Sequence, residues 1–337
     1  MKNNIELIFR EQMDEKLKPL REKGAKIYSI SRLNNINTCP RQYYYTYVNK
    51  TQQKAGVYGI LGTACHADLE DLYEGKIEGN HVQPLHFQNE WKKCEMFGVG
   101  FPVSKGDIKG NYKKDIDAFY KYYNKMEGEF ISELGFILEI DEMHYLMGYI
   151  DLLQIREDGK INIFDFKTSA MFKDKKLVDA GRQLCIYQMA LEQLYGLECV
   201  INGWQMLKYL DVKIGKNKTK TVSGRELISK CESQIKTLLK KDTSLTEEGI
   251  DQLLLMCRLN NSLEPLPEHI KEQISIDIHF KEYPITQEIK DETMNYIIET
   301  IKRIESMDNT NVEQWEKQPN DFFCKNLCGF YPKHCNG

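Results

Sequence analysis

No apolar run in the 337-residue chain approaches the roughly 20 residues that a membrane helix needs, which excludes a helical membrane span. There is no basic excess. Lysine and arginine number 46 against 50 acids, for a net charge of -4, so a polyanionic partner would have to be met by local patches. No G-x-x-x-x-G-K-[ST] is present, which excludes that phosphate-binding loop and the motor it would drive. Internal repeats and low-complexity segments are absent, so a solenoid is not expected. The opening stretch MKNNIELIFREQMDEKLK is charged throughout and unlike a secretory signal, which reads as an intracellular, cytoplasmic protein. In that reducing setting the ten cysteines are expected as thiols or metal ligands, not disulfides.

What is present is a globular composition, 41% apolar and 28% charged, in a chain long enough for a substantial core. Residues 1–28 read as a charged helix and a lead-in. Two short helices broken near Pro40 follow over 28–48, with Ser29 or Ser31 as N-cap. A helix is expected from about Thr63 to Gly75 and another over 111–134, with 76–111 ambiguous. From about 136 the apolar period becomes two, which predicts consecutive antiparallel strands turning at Glu157-Asp158-Gly159. A helix over 181–196, a strand over 200–212 and helices over 222–260 and 284–306 complete the pattern. The order of elements predicts an α/β or α+β fold around one sheet.

The stretch Ile163-Phe-Asp-Phe-Lys-Thr-Ser169 sets an acid and a lysine, Asp165 and Lys167, inside an apolar strand. Residues two apart share a face, so these two point together and Phe164 and Phe166 point away. The preceding strand offers Asp151 in Gly148-Tyr-Ile-Asp151. A two-residue turn would put the two acids on opposite faces. A three-residue loop, Glu157 to Gly159 with Gly159 left-handed, sets Asp151 opposite Asp165, and this loop is expected. Two carboxylates beside a lysine meet the needs of a Mg²⁺ or Mn²⁺ centre that hydrolyses phosphodiesters. A surface hairpin with a salt bridge is the plainer alternative. Two further pairs lie one helical turn apart: His66 and Glu70 in GTACHADLE, and Gln183 and Tyr187 in QLCIYQMAL.

Taken together and in this order, the pieces Gly62-Thr63…His66…Glu70, Gly148…Asp151, Asp165-Phe166-Lys167 and Gln183…Tyr187 resemble the RecB-like branch of the PD-(D/E)XK nuclease superfamily. The resemblance implies that fold, a central mixed sheet flanked by helices with extra helical segments, over one nuclease domain spanning 1–337. Its parts would be N-terminal helices (28–75), the catalytic sheet with the QxxxY helix (136–215), a helical region (216–310) and a cysteine tail (311–337). It also implies His66, Asp151 and Asp165 as metal ligands, with the Phe166 carbonyl beside them, and Lys167 as the catalytic lysine. Gln183 and Tyr187 would contact DNA or steady the site. Asp165 stands where this family more often has glutamate.

The tail FFCKNLCGFYPKHCNG gives C-x₃-C-x₆-C from Cys324 through Cys328 to Cys335. The resemblance extends to a subgroup, AddB-type and CRISPR-associated nucleases, with one cysteine before the nuclease core and three after it. In that subgroup the four hold a 4Fe-4S cluster that staples the chain ends. Cys39, in NTCPRQYYYTY, would be the upstream ligand. The common tail is C-x₂-C-x₅-C, and each gap here is one residue longer. Structural Zn²⁺ on the same cysteines, or with His334 replacing one, is the rival, and free thiols are the third reading.

For DNA contacts, the sequence offers Lys208, Lys213, Lys216, Lys218 and Lys220, and Arg41 among Tyr43, Tyr44, Tyr45 and Tyr47. The expected activity is a Mg²⁺- or Mn²⁺-dependent deoxyribonuclease, specifically an exonuclease on single-stranded ends, in recombination, repair or DNA processing. Its partners would be DNA and a separate helicase or recombination protein, in a bacterium, an archaeon or a phage. The reading from another class is a nonenzymatic DNA-binding or assembly subunit of such a complex.

Overall fold

Seven strands make one mixed sheet in the computed structural model, which describes residues 7–53, 55–103 and 105–335. They are β1 (Lys26–Ser29), β2 (Glu129–Asp141), β3 (His144–Ile155), β4 (Ile161–Lys167), β5 (Cys199–Ile214), β6 (Lys220–Ser223) and β7 (Ile274–Glu282). The path runs β1-β3-β4-β5-β6, with β2 added to β3 and β7 to β5. β1 and β4 lie parallel to β3 and β5 respectively, and the other pairings are antiparallel.

The β3–β4 hairpin closes through three residues. Arg156 and Lys160 face each other, and Gly159 takes φ +78 with its N–H on the Arg156 carbonyl. Only a left-handed residue closes this loop without strain, which suits glycine. The register that follows pairs Leu152 with Phe164 and puts Asp151 next to Asp165. Past that point the strands part. β1 accompanies β3 only over His144–Met147 and β4 only over Leu152–Ile155, so Gly148–Asp151 lies at a fork in the sheet. Gly148 is required at the fork because a Cβ there would sit 2.9 Å from the Phe136 ring.

Helices cover both faces. α1 (Met13–Glu22) packs Met13 and Leu17 with Ile8 over Ile137, Met147 and Tyr149. α2 (Ile30–Thr38) is capped by the Ser29 side chain on the Arg32 N–H, and α3 (Pro40–Tyr43) begins with proline at its first position. α4 (Val57–Tyr73), α5 (Leu85–Met96) and α6 (Ile108–Tyr122) enclose Leu152, Phe164 and Phe166 on one face. α7 (Asp174–Tyr195) crosses from β4 to β5 and buries Leu184, Ile186 and Ala190 against Ile161 and Ile163 on the other. α8 (Leu227–Leu239), α9 (Glu247–Asn260) and α10 (Glu268–Lys271) form a satellite core on the far half of β5. α11 (Gln287–Ser306) packs on α2 and α7, and α12 (Asp321–Asn326) leads into the tail. No helix among the described residues is long and apolar enough to cross a membrane.

Several elements differ from the sequence reading. α4 starts at Val57, not Thr63; its first turns contain Gly59 and Gly62, which mask the helical pattern. α6 ends at Tyr122, and Gly128 at φ +128 breaks the chain before β2 begins at Glu129. α7 starts at Asp174, two turns early, because those turns are charged and exposed. α5 lies in the ambiguous stretch, and α8 and α9 divide the helix expected over 222–260. β1, β6 and β7 were not expected, although Ile274-Ser-Ile-Asp-Ile-His-Phe alternates with period two. Residues 1–6 of the expected first helix lie outside the described residues.

Candidate active site

The fork at Gly148–Asp151 is where the charged residues meet. α4 reaches it closely because Gly62 has no side chain; a Cβ there would come 3.2 Å from Thr168 Oγ1, just beyond β4. One turn on, His66 Nδ1 lies 3.4 Å from Asp151 Oδ2, with its ring edge-on to Phe166 at 5.9 Å. Asp151 Oδ2 also accepts the Phe166 N–H at 2.8 Å. Burial would raise the Asp151 pKa, but His66, Lys167 and that N–H outweigh it and hold the carboxyl below its ordinary range. Burial would lower the His66 pKa; Asp151, then Asp165, more than reverse it.

The third member of this group is Glu133 of β2, which the sequence reading missed. His66, Glu133 and Asp151 bring ligand atoms within 4.8 Å of one another, a donor set suited to a divalent cation. Glu133 sits at φ +50, left-handed for a non-glycine residue, and drops out of the β2–β3 pairing opposite Asp151. A residue held this way costs about 1–3 kcal/mol, and such strain clusters at functional sites. Arg10 Nη2 pairs with Glu133 Oε2 at 2.6 Å and lies over the Tyr149 ring. Burial, then Asp151, push the Glu133 pKa up. Glu70 lies close enough to influence both Arg10 and Glu133 electrostatically.

Beside this group stands a chain of four residues. Asp165 is 0% exposed. Lys167 Nζ pairs with its Oδ2 at 2.5 Å, whereas the buried Oδ1 has no hydrogen-bond partner among the described residues. Burial, with Asp151 reinforcing it, pushes the Asp165 carboxyl up to about 6 against the opposing Lys167 and His66. Burial works against the Lys167 ammonium, but Asp165 and Asp151 raise its pKa. Lys167 Nζ donates to Gln183 Oε1 at 3.1 Å, and Gln183 Nε2 donates to Tyr187 Oη at 2.5 Å. Tyr187 is 3% exposed and packs on Phe136, so its hydroxyl meets this chain through Gln183.

Lys167 satisfies one oxygen of the buried Asp165 carboxylate and leaves Oδ1 open, an atom a cation could take up. The cluster with ligand atoms close enough for a hard divalent metal is His66, Glu133 and Asp151, and Asp165 adjoins it, near enough to act on His66 and Asp151 electrostatically. Phe166 contributes its N–H to Asp151 here.

Two of the residues expected at DNA are engaged within the protein. Arg41 is 5% exposed; its Nε donates to the Trp315 carbonyl at 2.7 Å and its Nη atoms to Glu313. Lys208 is half-buried over Tyr112 and near Asp115, and burial lowers its pKa. Lys213, Lys216, Lys218 and Lys220 are exposed near the β5–β6 turn. That turn lies about 25 Å along β5 beyond Met206, the partner of Lys167. The tyrosines beside Arg41 pack the tail: Tyr43 stacks on Trp315, and Tyr45 meets Phe330 and His334.

The tail folds back onto α3. Burial raises the Cys328 thiol pKa, with neighbouring Cys39 and Cys324 adding to it; burial, then Cys328 and Cys39, raise that of Cys335. Cys39, Cys324, Cys328 and Cys335 thus lie in one neighbourhood, and none of the described cysteines is in a disulfide. The His334 ring is turned onto Tyr45 and Phe330.

No curated protein matches the sequence. The sequence model of the PD-(D/E)XK nuclease superfamily matches residues 27–332, and with the fork geometry above this shows that the chain belongs to that superfamily.

Proposed function

We propose that this protein is a divalent-metal-dependent deoxyribonuclease, an exonuclease that acts on single-stranded ends. The observation that carries it is Asp165: a fully buried carboxylate that Lys167 meets at one oxygen and nothing among the described residues meets at the other, next to a cluster of three metal donors. His66, Glu133, Asp151 and Asp165 would hold the ion. Bound Mg²⁺ or Mn²⁺ supplies a Lewis acid for the phosphate and lowers the pKa of a bound water. Lys167 keeps its proton beside Asp165 and presents positive charge to the phosphate as negative charge builds on its oxygens. Gln183 and Tyr187 fix the direction of that ammonium. The products would carry 5′-phosphate ends. The single-strand exonuclease preference rests on the RecB-like resemblance.

Cys39, Cys324, Cys328 and Cys335 would hold a 4Fe-4S cluster, the iron–sulfur trait of that subgroup. Their shared neighbourhood and the packing of Trp315, Tyr43 and Arg41 support a role in tying the tail to α3. The described residues from 7 to 335 would then act as one nuclease unit, working on DNA in recombination, repair or processing beside a helicase or recombination partner.

The test is incubation of anaerobically purified protein with end-labelled single- and double-stranded DNA, with Mg²⁺, Mn²⁺ or EDTA. Divalent-dependent cleavage that Asp165→Ala abolishes is expected. Cleavage that persists in EDTA or in the variant would overturn the reading.

A further inference from the structure

A groove of about 720 Å³ opens from Lys167 and runs between α2 and α7, with α11 as its floor. Its basic residues are Lys167, Lys175, Lys176 and Arg182. Lys175 and Lys176 are exposed and have no ion-pair partner among the described residues. Two acids share this end of α7, Asp174 and Asp179, and Asp179 is held by Arg182. The Arg182 guanidinium carbon lies over the Tyr296 ring, 4.1 Å from its centre.

The second groove beside the site offers a contrast. It also contains arginines and tyrosines, but its cations are engaged. Arg10 is on Glu133, Arg21 on Asp14, and Arg32 on the Tyr43 hydroxyl and the Ile27 carbonyl. Arg32 thus meets no acid but is held by neutral groups and aromatic rings, so the exposed cations free of any partner among the described residues, Lys175 and Lys176, lie on the Lys167 side.

Width decides between one strand and two. α2 meets α11 through Asn37 on Tyr296 and Thr300, and α7 meets it through Arg182 and Cys185. Helices packed on a common third, each about 8–10 Å from it, stand at most about 20 Å apart. Removing one helix diameter leaves about 10 Å. That is narrower than the major groove of B-DNA alone, about 12 Å. The walls are firm: Tyr296 Oη is tied to Asn34 and Asn37, and the Phe172 carbonyl accepts Lys281 Nζ at 2.8 Å.

We propose that this groove is the track along which a single DNA strand reaches the site, with Lys175 and Lys176 on its phosphates and the Arg182 guanidinium face available to a base. The direction toward Lys167 rests on the nuclease reading above; the groove's own binding does not. The lysines of the β5–β6 turn, Lys216 and Lys218, play no part in this track.

The experiment measures binding of a fluorescein-labelled oligothymidylate of about 20 nucleotides in EDTA across a salt series. It compares wild type, Lys175→Gln/Lys176→Gln and Lys216→Gln/Lys218→Gln. The first double variant should bind about tenfold more weakly, with the salt slope reduced by about 1.4, or about 0.7 for each phosphate no longer neutralised. The second should match wild type, and a blunt duplex should bind more weakly than the single strand. An unchanged slope in the first variant, or equal binding of the duplex, overturns the proposal. Cleavage assays run in parallel separate the two readings. Strand binding that needs Lys175 and Lys176 without any cleavage keeps the track and removes the nuclease; cleavage with an unchanged slope does the reverse.

Discussion

Asp68 and Asp165 are both aspartates with 0% exposure, and both have pKa values raised first by burial. Asp68 lies between α4, α5 and α6. It accepts the N–H groups of His86 and Phe87 and the Tyr120 hydroxyl, so it caps α5 and is satisfied. Asp165, near the end of β4, has the Lys167 ammonium at Oδ2 and no partner at Oδ1 among the described residues. Burial alone therefore does not mark a functional acid. The distinguishing feature is whether the fold supplies the partners a buried charge requires. At Asp68 it does; at Asp165 it supplies Lys167 to one oxygen and leaves the other open, which the proposed metal ion would fill.

The largest effect separates the two in activity. Asp165→Ala should reduce cleavage by at least about 10³-fold, equivalent to about 4 kcal/mol of barrier, in single-turnover assays. Asp68→Ala should leave activity per folded molecule within about twofold of wild type. Stability should divide them the other way. Asp68→Ala strands two buried donors, the Phe87 N–H and the Tyr120 hydroxyl, and the part-buried His86 N–H, and should lower unfolding free energy by about 3 kcal/mol in denaturant titration. A variant at Asp68 that kept its stability would remove the comparison.

A smaller effect tests how Lys167 is held. Tyr187→Phe removes the Gln183 anchor while keeping the packing on Phe136. It should lower kcat about tenfold with KM little changed. A KM effect of that size instead would place Tyr187 on the DNA.

The smallest effect is in pH. The unfolded chain releases the Asp165 proton at about 4, whereas the metal-free fold holds it to about 6. The fold therefore binds the extra proton in that window, and its stability falls as pH rises from about 4 to about 6. Asp165→Asn should flatten this part of the stability curve, measured as melting temperature against pH.

Much of the site was legible because its residues lie at fixed spacings on regular elements. His66 is on one helix face, Gln183 and Tyr187 are one turn apart on another, and the Gly159 loop decides which way Asp151 points. Glu133 was not legible. It stands in ISELGF, a stretch whose charged lead-in reads as the end of a helix, and its left-handed backbone has no periodic signature. Arg41 misled for a related reason. An arginine beside tyrosines looks like a strand-binding patch, and only the fold shows Trp315 and Glu313 waiting for it from the far end of the chain. β7 carried a visible alternation, but its partner strand is more than sixty residues away in sequence, beyond any local pattern.

The most direct test of the account is thermal melting at pH 7.5 without DNA, with and without Mn²⁺, for wild type, Asp165→Asn and Asp68→Asn. Mn²⁺ should raise the melting temperature of wild type and of Asp68→Asn, and leave Asp165→Asn unmoved. An equal Mn²⁺ shift in Asp165→Asn would contradict the claim that this buried carboxylate is built to hold a metal ion.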